Sequence, residues 1–295
     1  MQLISKLVYL YQTTKHIVQY FYNTVSKMKK ILIPYKQSII SCSSFGKGAE
    51  WLICFHGYGE NSETFSFLEP YLGETYRLLA IDLPYHGQTI WNEGLNCSTE
   101  DLWNIITLIT GSKTLAVNFI GYSMGGRIVL KLLEVQASRV AKVVLLAPDG
   151  LHSNPWHWLA TQTKWGNRLF HFTMEKPEWF FRWMKWGNQL GILNQSIFNF
   201  AHYYLDEAEE RMALYCRWTT FRKFHCNLAL IKNIIQENNK HLTLIFGKYD
   251  RIILTSKGRD FQKGLEKNIT IRELQAGHLL LKEKFAVEIS AAFQS

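Results

Sequence analysis

The sequence predicts an α/β protein built on one mostly parallel, doubly wound sheet. Two observations carry this. Short apolar, β-branched runs alternate with helical stretches throughout the 295 residues, the pattern of a sheet covered on both faces. One of those runs also ends in a serine held between glycines and opens straight into a helical pattern. Composition agrees: 47% hydrophobic and 19% charged residues describe a chain with ample core. No stretch reaches the 18 or so apolar residues that would span a bilayer.

The elements follow in order. In residues 1–27, Leu7, Tyr11, Thr14, Ile17, Phe21 and Val25 recur at roughly helical spacing, and the flanking lysines would let such a helix rest weakly on a membrane surface. The segment lacks the continuous apolar stretch and small-residue cleavage site of a secretory signal. The preferred alternative is that translation starts at Met28, where MKKILIPYKQSI reads as the first strand of the fold. Residues 51–59 (WLICFHGYG) are an apolar strand closed by His-Gly-x-Gly. Residues 78–89 (LLAIDLPYHGQT) are a strand followed by an aspartate and a small-residue turn. Residues 114–120 (TLAVNFI) read as a buried strand and 127–136 (RIVLKLLEVQ) as a helix, so Ser123 of Gly121-Tyr122-Ser123-Met124-Gly125 stands at a sharp corner with its hydroxyl lifted clear of the sheet.

Two later strands also end in functional residue types. Residues 241–250 (HLTLIFGKYD) finish on Asp250, at the strand end where open α/β sheets gather their functional groups. Residues 268–278 (NITIRELQAGH) finish on Gly277-His278. The order serine, aspartate, histidine is that of one catalytic class and differs from those of the chymotrypsin and subtilisin families. A serine hydroxyl needs a neighbouring base to become a nucleophile, which makes Ser123, His278 and Asp250 the candidate nucleophile, base and orienting acid. The amides of Tyr58 and Met124 are the candidate oxyanion donors. Asp149, after the strand at 141–146, is an alternative acid with a weaker motif.

On these residues, from about Lys30 onward, the chain resembles the α/β-hydrolase superfamily. Tyr85 stands where that family's D-x-P-G-H-G turn usually has glycine. The resemblance implies the α/β-hydrolase fold with a helical cap insertion, core segments at 28–150 and 239–295, and a cap at 151–238. It implies structural roles for His56 and His86. Serine at the elbow separates the chain from haloalkane dehalogenases and epoxide hydrolases, which carry a carboxylate there, and from dienelactone hydrolases, which carry cysteine. The implied function is a cytoplasmic serine esterase acting on a small apolar acyl or aromatic substrate, without cofactor or metal. A second reading comes from GYSMGGR, which is similar to the elbow of the menaquinone-pathway synthase that eliminates pyruvate. On that reading Arg127 binds a carboxylate, assisted by a cap arginine such as Arg168 or Arg182. Tyr122 and Arg127 are therefore the candidate substrate-binding residues.

The cap holds seven of the ten tryptophans and eight phenylalanines, with Pro177 and the pairs Gly166-Asn167 and Gly187-Asn188 dividing it into short helices. Such a lid favours an apolar substrate over a sugar or peptide. The +9 formal charge is concentrated at the start, where Lys6, Lys15, Lys27, Lys29, Lys30 and Lys36 meet no acid, so no nucleic-acid partner is expected. Five cysteines without a C-x-x-C pair predict free thiols in a reducing compartment. His16, His152, His157, His171, His202, His225 and His241 show no ligand spacing, and no metal site is expected.

Overall fold

The computed structural model describes residues 19–22, 28–152, 155–189 and 205–294. Among them nine strands, β1 (Gln19–Tyr22), β2 (Lys29–Tyr35), β3 (Ser38–Phe45), β4 (Glu50–Phe55), β5 (Tyr76–Ile81), β6 (Val117–Tyr122), β7 (Val140–Leu146), β8 (Leu242–Gly247) and β9 (Ile269–Leu274), form one sheet ordered β1-β2-β3-β5-β4-β6-β7-β8-β9. From β5 to β9 every neighbouring pair is parallel, while β1 to β3 join antiparallel. The helices are α1 (Glu69–Leu72), α2 (Thr99–Thr110), α3 (Met124–Val135), α4 (Pro155–Gln162), α5 (Lys164–Glu175), α6 (Glu178–Gln189), α7 (Ala208–Thr220), α8 (Leu228–Glu237), α9 (Thr255–Gln262) and α10 (Ala286–Gln294). The predicted mostly parallel, doubly wound sheet is the sheet observed.

Side chains two apart on a strand share a face, and this rule divides the core. Ile53, Phe55, Phe119, Val143, Leu145, Leu244 and Phe246 pack on one face with α2, α3 and α8. Leu52, Cys54, Ile120, Tyr122, Val144, Leu146 and Ile245 pack on the other with α10 and the turn at Phe65 and Leu68. β6 and β8 are buried at every position, as central strands covered twice must be. Local chemistry sets the helix ends. Ser98 and Asp101 close a reciprocal capping box at the start of α2, and Gly111 ends it at φ 71°, a left-handed turn that favours glycine.

Three boundaries differ from expectation. β6 starts at Val117, later than residue 114, because the amides of Thr114 and Leu115 donate to Ser112 Oγ in a local turn. α8 was expected in the cap, yet Ile231 and Ile235 are fully buried in the sheet's own cluster, so the core resumes before residue 239. Residues 19–22, inside the expected amphipathic helix, are instead a strand pairing with β2; the other residues of 1–27, His16 among them, lie outside the described residues. So do His202, Phe198 and Phe200 of the expected cap. There Met174, Met184, Leu205 and Tyr215 form a separate small cluster with Phe170, Phe180 and Phe181. No helix among the described residues is long and apolar enough to cross a membrane, and the five cysteines are unpaired.

Candidate active site

The site is built where four strands end. β4 leads to His56-Gly57-Tyr58, β6 to Ser123, β8 to Asp250 and β9 to His278. β4 is also where the winding reverses, since β5 lies on one side of it and β6 on the other, the place where open α/β sheets leave a crevice.

Ser123 sits at φ 50° and ψ −113°, a backbone conformation that non-glycine residues rarely adopt. Strain of this kind persists only when the surroundings fix it. Here the amide of Ser123 donates to the Leu146 carbonyl, and its own carbonyl accepts from the amides of Gly126 and Asp149. Gly125 allows α3 to press onto β4, because a Cβ there would lie 2.0 Å from the Phe55 carbonyl oxygen. The helix begins at Met124, so its first amides, which have no partner within the helix, cluster beside the serine.

The three candidate catalytic side chains meet. Ser123 Oγ is 3.1 Å from His278 Nε2, and His278 Nδ1 is 2.7 Å from Asp250 Oδ2. The Asp250 carboxylate is fully enclosed, and its Oδ1 accepts from the amides of Ile252 and Ile253 at 2.7 and 3.0 Å. With one oxygen fixed by two amides, the other is aimed at the imidazole. An ionised carboxylate accepts only, so Nδ1 carries the proton and Nε2 is left to accept from the serine hydroxyl.

The loop after β4 is held from two sides. Leu83 N–H donates to His56 Nε2 at 3.1 Å, which leaves the proton on Nδ1 to be donated to the Gly57 carbonyl at 2.8 Å. Burial draws the His56 imidazole down to about 4 and that of its neighbour His86 to about 2, so both are neutral near pH 7. Their rings lie 5.0 Å apart, and His86 Nδ1 donates to the Pro84 carbonyl. Both histidines thus make the loop contacts expected of structural residues.

Glu60 escaped the sequence reading. Its Oε2 accepts the Gly57 amide at 3.1 Å, and the Glu60 amide donates back to the Gly57 carbonyl at 3.3 Å, folding the loop into a tight turn next to Tyr58. Burial raises its pKa, against the lowering pull of the Gly57 amide, His278 and Lys282. The signal was present as the fifth residue of His-Gly-Tyr-Gly-Glu, but nothing in the sequence turns that carboxylate back toward Gly57.

Tyr122 and Arg127, expected to touch substrate, each have a polar partner within the protein. Tyr122 is buried, and its hydroxyl donates to the His278 carbonyl at 3.1 Å. Arg127 Nη1 pairs with Asp149 Oδ2 at 3.3 Å. Asp149, just after β7, is therefore the ion-pair partner of Arg127 in the first turn of α3, and the acid beside His278 is Asp250. Arg168 lies on the exposed side of α5 with its guanidinium over Trp165, and Arg182 is exposed on α6. Among the described residues no group of three or more His, Cys, Asp or Glu side chains gathers in a way that would hold a metal ion.

Known proteins fit this picture. A model of the alpha/beta hydrolase fold matches residues 50–285. The chain is 24% identical over 249 residues to the uncharacterized hydrolase YugF of Bacillus subtilis, covering 80% of this chain and 86% of that one. A shorter match, 27% over 129 residues, is to the pimeloyl-[acyl-carrier protein] methyl ester esterase of Aeromonas salmonicida, covering 43% of this chain and 49% of the other. The solved structure of serine hydrolase CCSP0084 from Cycloclasticus zankles superposes with a TM-score of 0.61 at 19% identity, over 90% of this chain and 98% of that one.

Proposed function

Since the chain belongs to the alpha/beta hydrolase fold family and is an esterase-like hydrolase, we propose that it cleaves carboxylic esters through an acyl-enzyme on Ser123. The observation that carries this reading is the hydrogen-bonded line from Ser123 through His278 to Asp250. His278 Nε2 takes the hydroxyl proton as Oγ attacks the ester carbonyl, and Asp250 stabilises the imidazolium that forms. The amides of Met124 and Tyr58 receive the oxyanion, each such donor contributing about 10²–10³ in kcat. The imidazolium then gives its proton to the leaving alcohol. Water, deprotonated by the same nitrogen, releases the acid from Ser123.

An apolar acyl or aromatic substrate suits the rim. Leu279 and Ile252, next to His278 and Asp250 in the chain, are both exposed, and an aromatic-rich cap is inserted between β7 and α8. Pyruvate elimination is disfavoured because Arg127, the carboxylate ligand it requires, is paired with Asp149. We also place the protein in the cytoplasm, on the ground of its unpaired thiols.

Short p-nitrophenyl esters and a fluorophosphonate probe test the reading. The native chain is expected to turn over the ester and to be labelled on Ser123, and Ser123→Ala to lose both. Ester turnover undiminished in Ser123→Ala, or a native chain inert to esters that releases pyruvate from the succinyl-cyclohexene carboxylate on which the menaquinone-pathway synthase acts, would overturn it.

A further inference from the structure

The cap exposes aromatic side chains in an ordered way. On α5, Trp165, Leu169 and Phe172 are all exposed, Trp165 by 80%. Their i, i+4, i+7 spacing sets them in one stripe along the helix. On α6, Trp183 and Trp186 are also exposed and lie one turn apart on one side. Cations accompany both stripes. The Arg168 guanidinium lies 5.8 Å from the Trp165 ring centre and Lys176 Nζ 6.0 Å from that of Phe172. Lys164, Arg182 and Lys185 are exposed on the same helices, whose only acids are Glu175 and Glu178.

Apolar surface gathered as it is along α5 marks a face that is used. Rings that enter the boundary between headgroups and acyl chains, with basic groups left at the phosphates, are what an interfacial helix offers a bilayer. Charge decides the occupant. In a two-fold dimer through this face, the patch would meet its own copy and bring the cations together, whereas an anionic lipid surface supplies the opposite charge. We propose that the exposed stripe of α5 is a docking face for an anionic lipid surface. The docking face is independent of the catalytic assignment.

The full chain is mixed with vesicles of phosphatidylcholine alone or with about 30% phosphatidylglycerol, and the bound fraction is read by flotation. Partition onto the anionic vesicles is expected to be about tenfold higher and to fall as salt screens the charges. The double variant Lys164→Glu/Lys176→Glu, changed only at exposed side chains, should bind anionic vesicles no better than neutral ones, with hydrolysis of a water-soluble ester unchanged. Trp165→Ser/Leu169→Ser should lose binding as well. If that variant fails to fold, the charge-reversed one decides. Equal partition onto both vesicle types, or charge reversal without effect, overturns the proposal. So does a dimer in sedimentation that Trp165→Ser disperses, since the face would then belong to a second copy.

Discussion

Asp250→Asn tests the catalytic geometry most directly, because the surroundings dictate how asparagine must sit. The Oδ1 position accepts two amides, from Ile252 and Ile253. An amide nitrogen placed there would set donor against two donors, so the asparagine oxygen takes that position. Its NH₂ group must then face His278 Nδ1, where Oδ2 was 2.7 Å away. A donor facing Nδ1 drives the imidazole proton onto Nε2, the atom that should accept from Ser123. The enzyme keeps its shape but holds the wrong tautomer. The same substitution in another triad lowers kcat by about 10⁴, equivalent to about 5.5 kcal/mol of transition-state stabilisation. Measuring kcat on a p-nitrophenyl ester alongside the thermal midpoint separates chemistry from folding. A loss below tenfold in a folded variant would refute the tautomer reasoning and the assignment of Asp250.

Further outcomes follow from the loop and from the buried imidazoles. Glu60→Ala strands the Gly57 amide beside Tyr58, the proposed oxyanion donor, and a lost hydrogen bond of about 1–2 kcal/mol predicts a roughly tenfold fall in kcat with KM little changed. Glu60→Gln keeps an accepting oxygen and should recover most of that loss; equal rates for native and Glu60→Ala chains would show that the carboxylate does not hold the loop. Stability should also fall in acid. Burial holds His56 and His157 at about 4 and His86 at about 2, all below the ordinary value of 6.5. Below about pH 6.5 the unfolded chain therefore binds more protons than the folded one, and stability that is complete above that pH is lost as pH falls toward 4. His56 alone accounts for about 2 kcal/mol at pH 5. Urea midpoints at pH 7.5 and pH 5 check this, and a midpoint that stays level or rises on acidification would contradict it.

Much of the fold and most of the site were legible because their determinants are local. The corner at Ser123 needs glycines at fixed offsets, and strand ends before Asp250 and His278 show as apolar runs that stop. What stayed hidden depends on direction or distance. Tyr122 is flanked by a glycine and a serine, and the sequence does not say which face of β6 it joins; in the fold it shares a face with Ile120 and reaches the carbonyl of His278. α8 has the apolar periodicity of any amphipathic helix, and only its packing against the sheet assigns it to the core. Glu60 acts through a turn-back of three residues, and the charge that bears on it includes a histidine from the other end of the chain.

The bond from the Asp149 amide to the Ser123 carbonyl has a bearing on engineering. The last core residues before the long insertion double as a brace for Ser123, and Asp149 also anchors Arg127 on the adjoining helix. Grafting a foreign lid for a new specificity should therefore splice downstream of Gly150. A chimera joined one turn earlier would slacken the serine it was meant to serve.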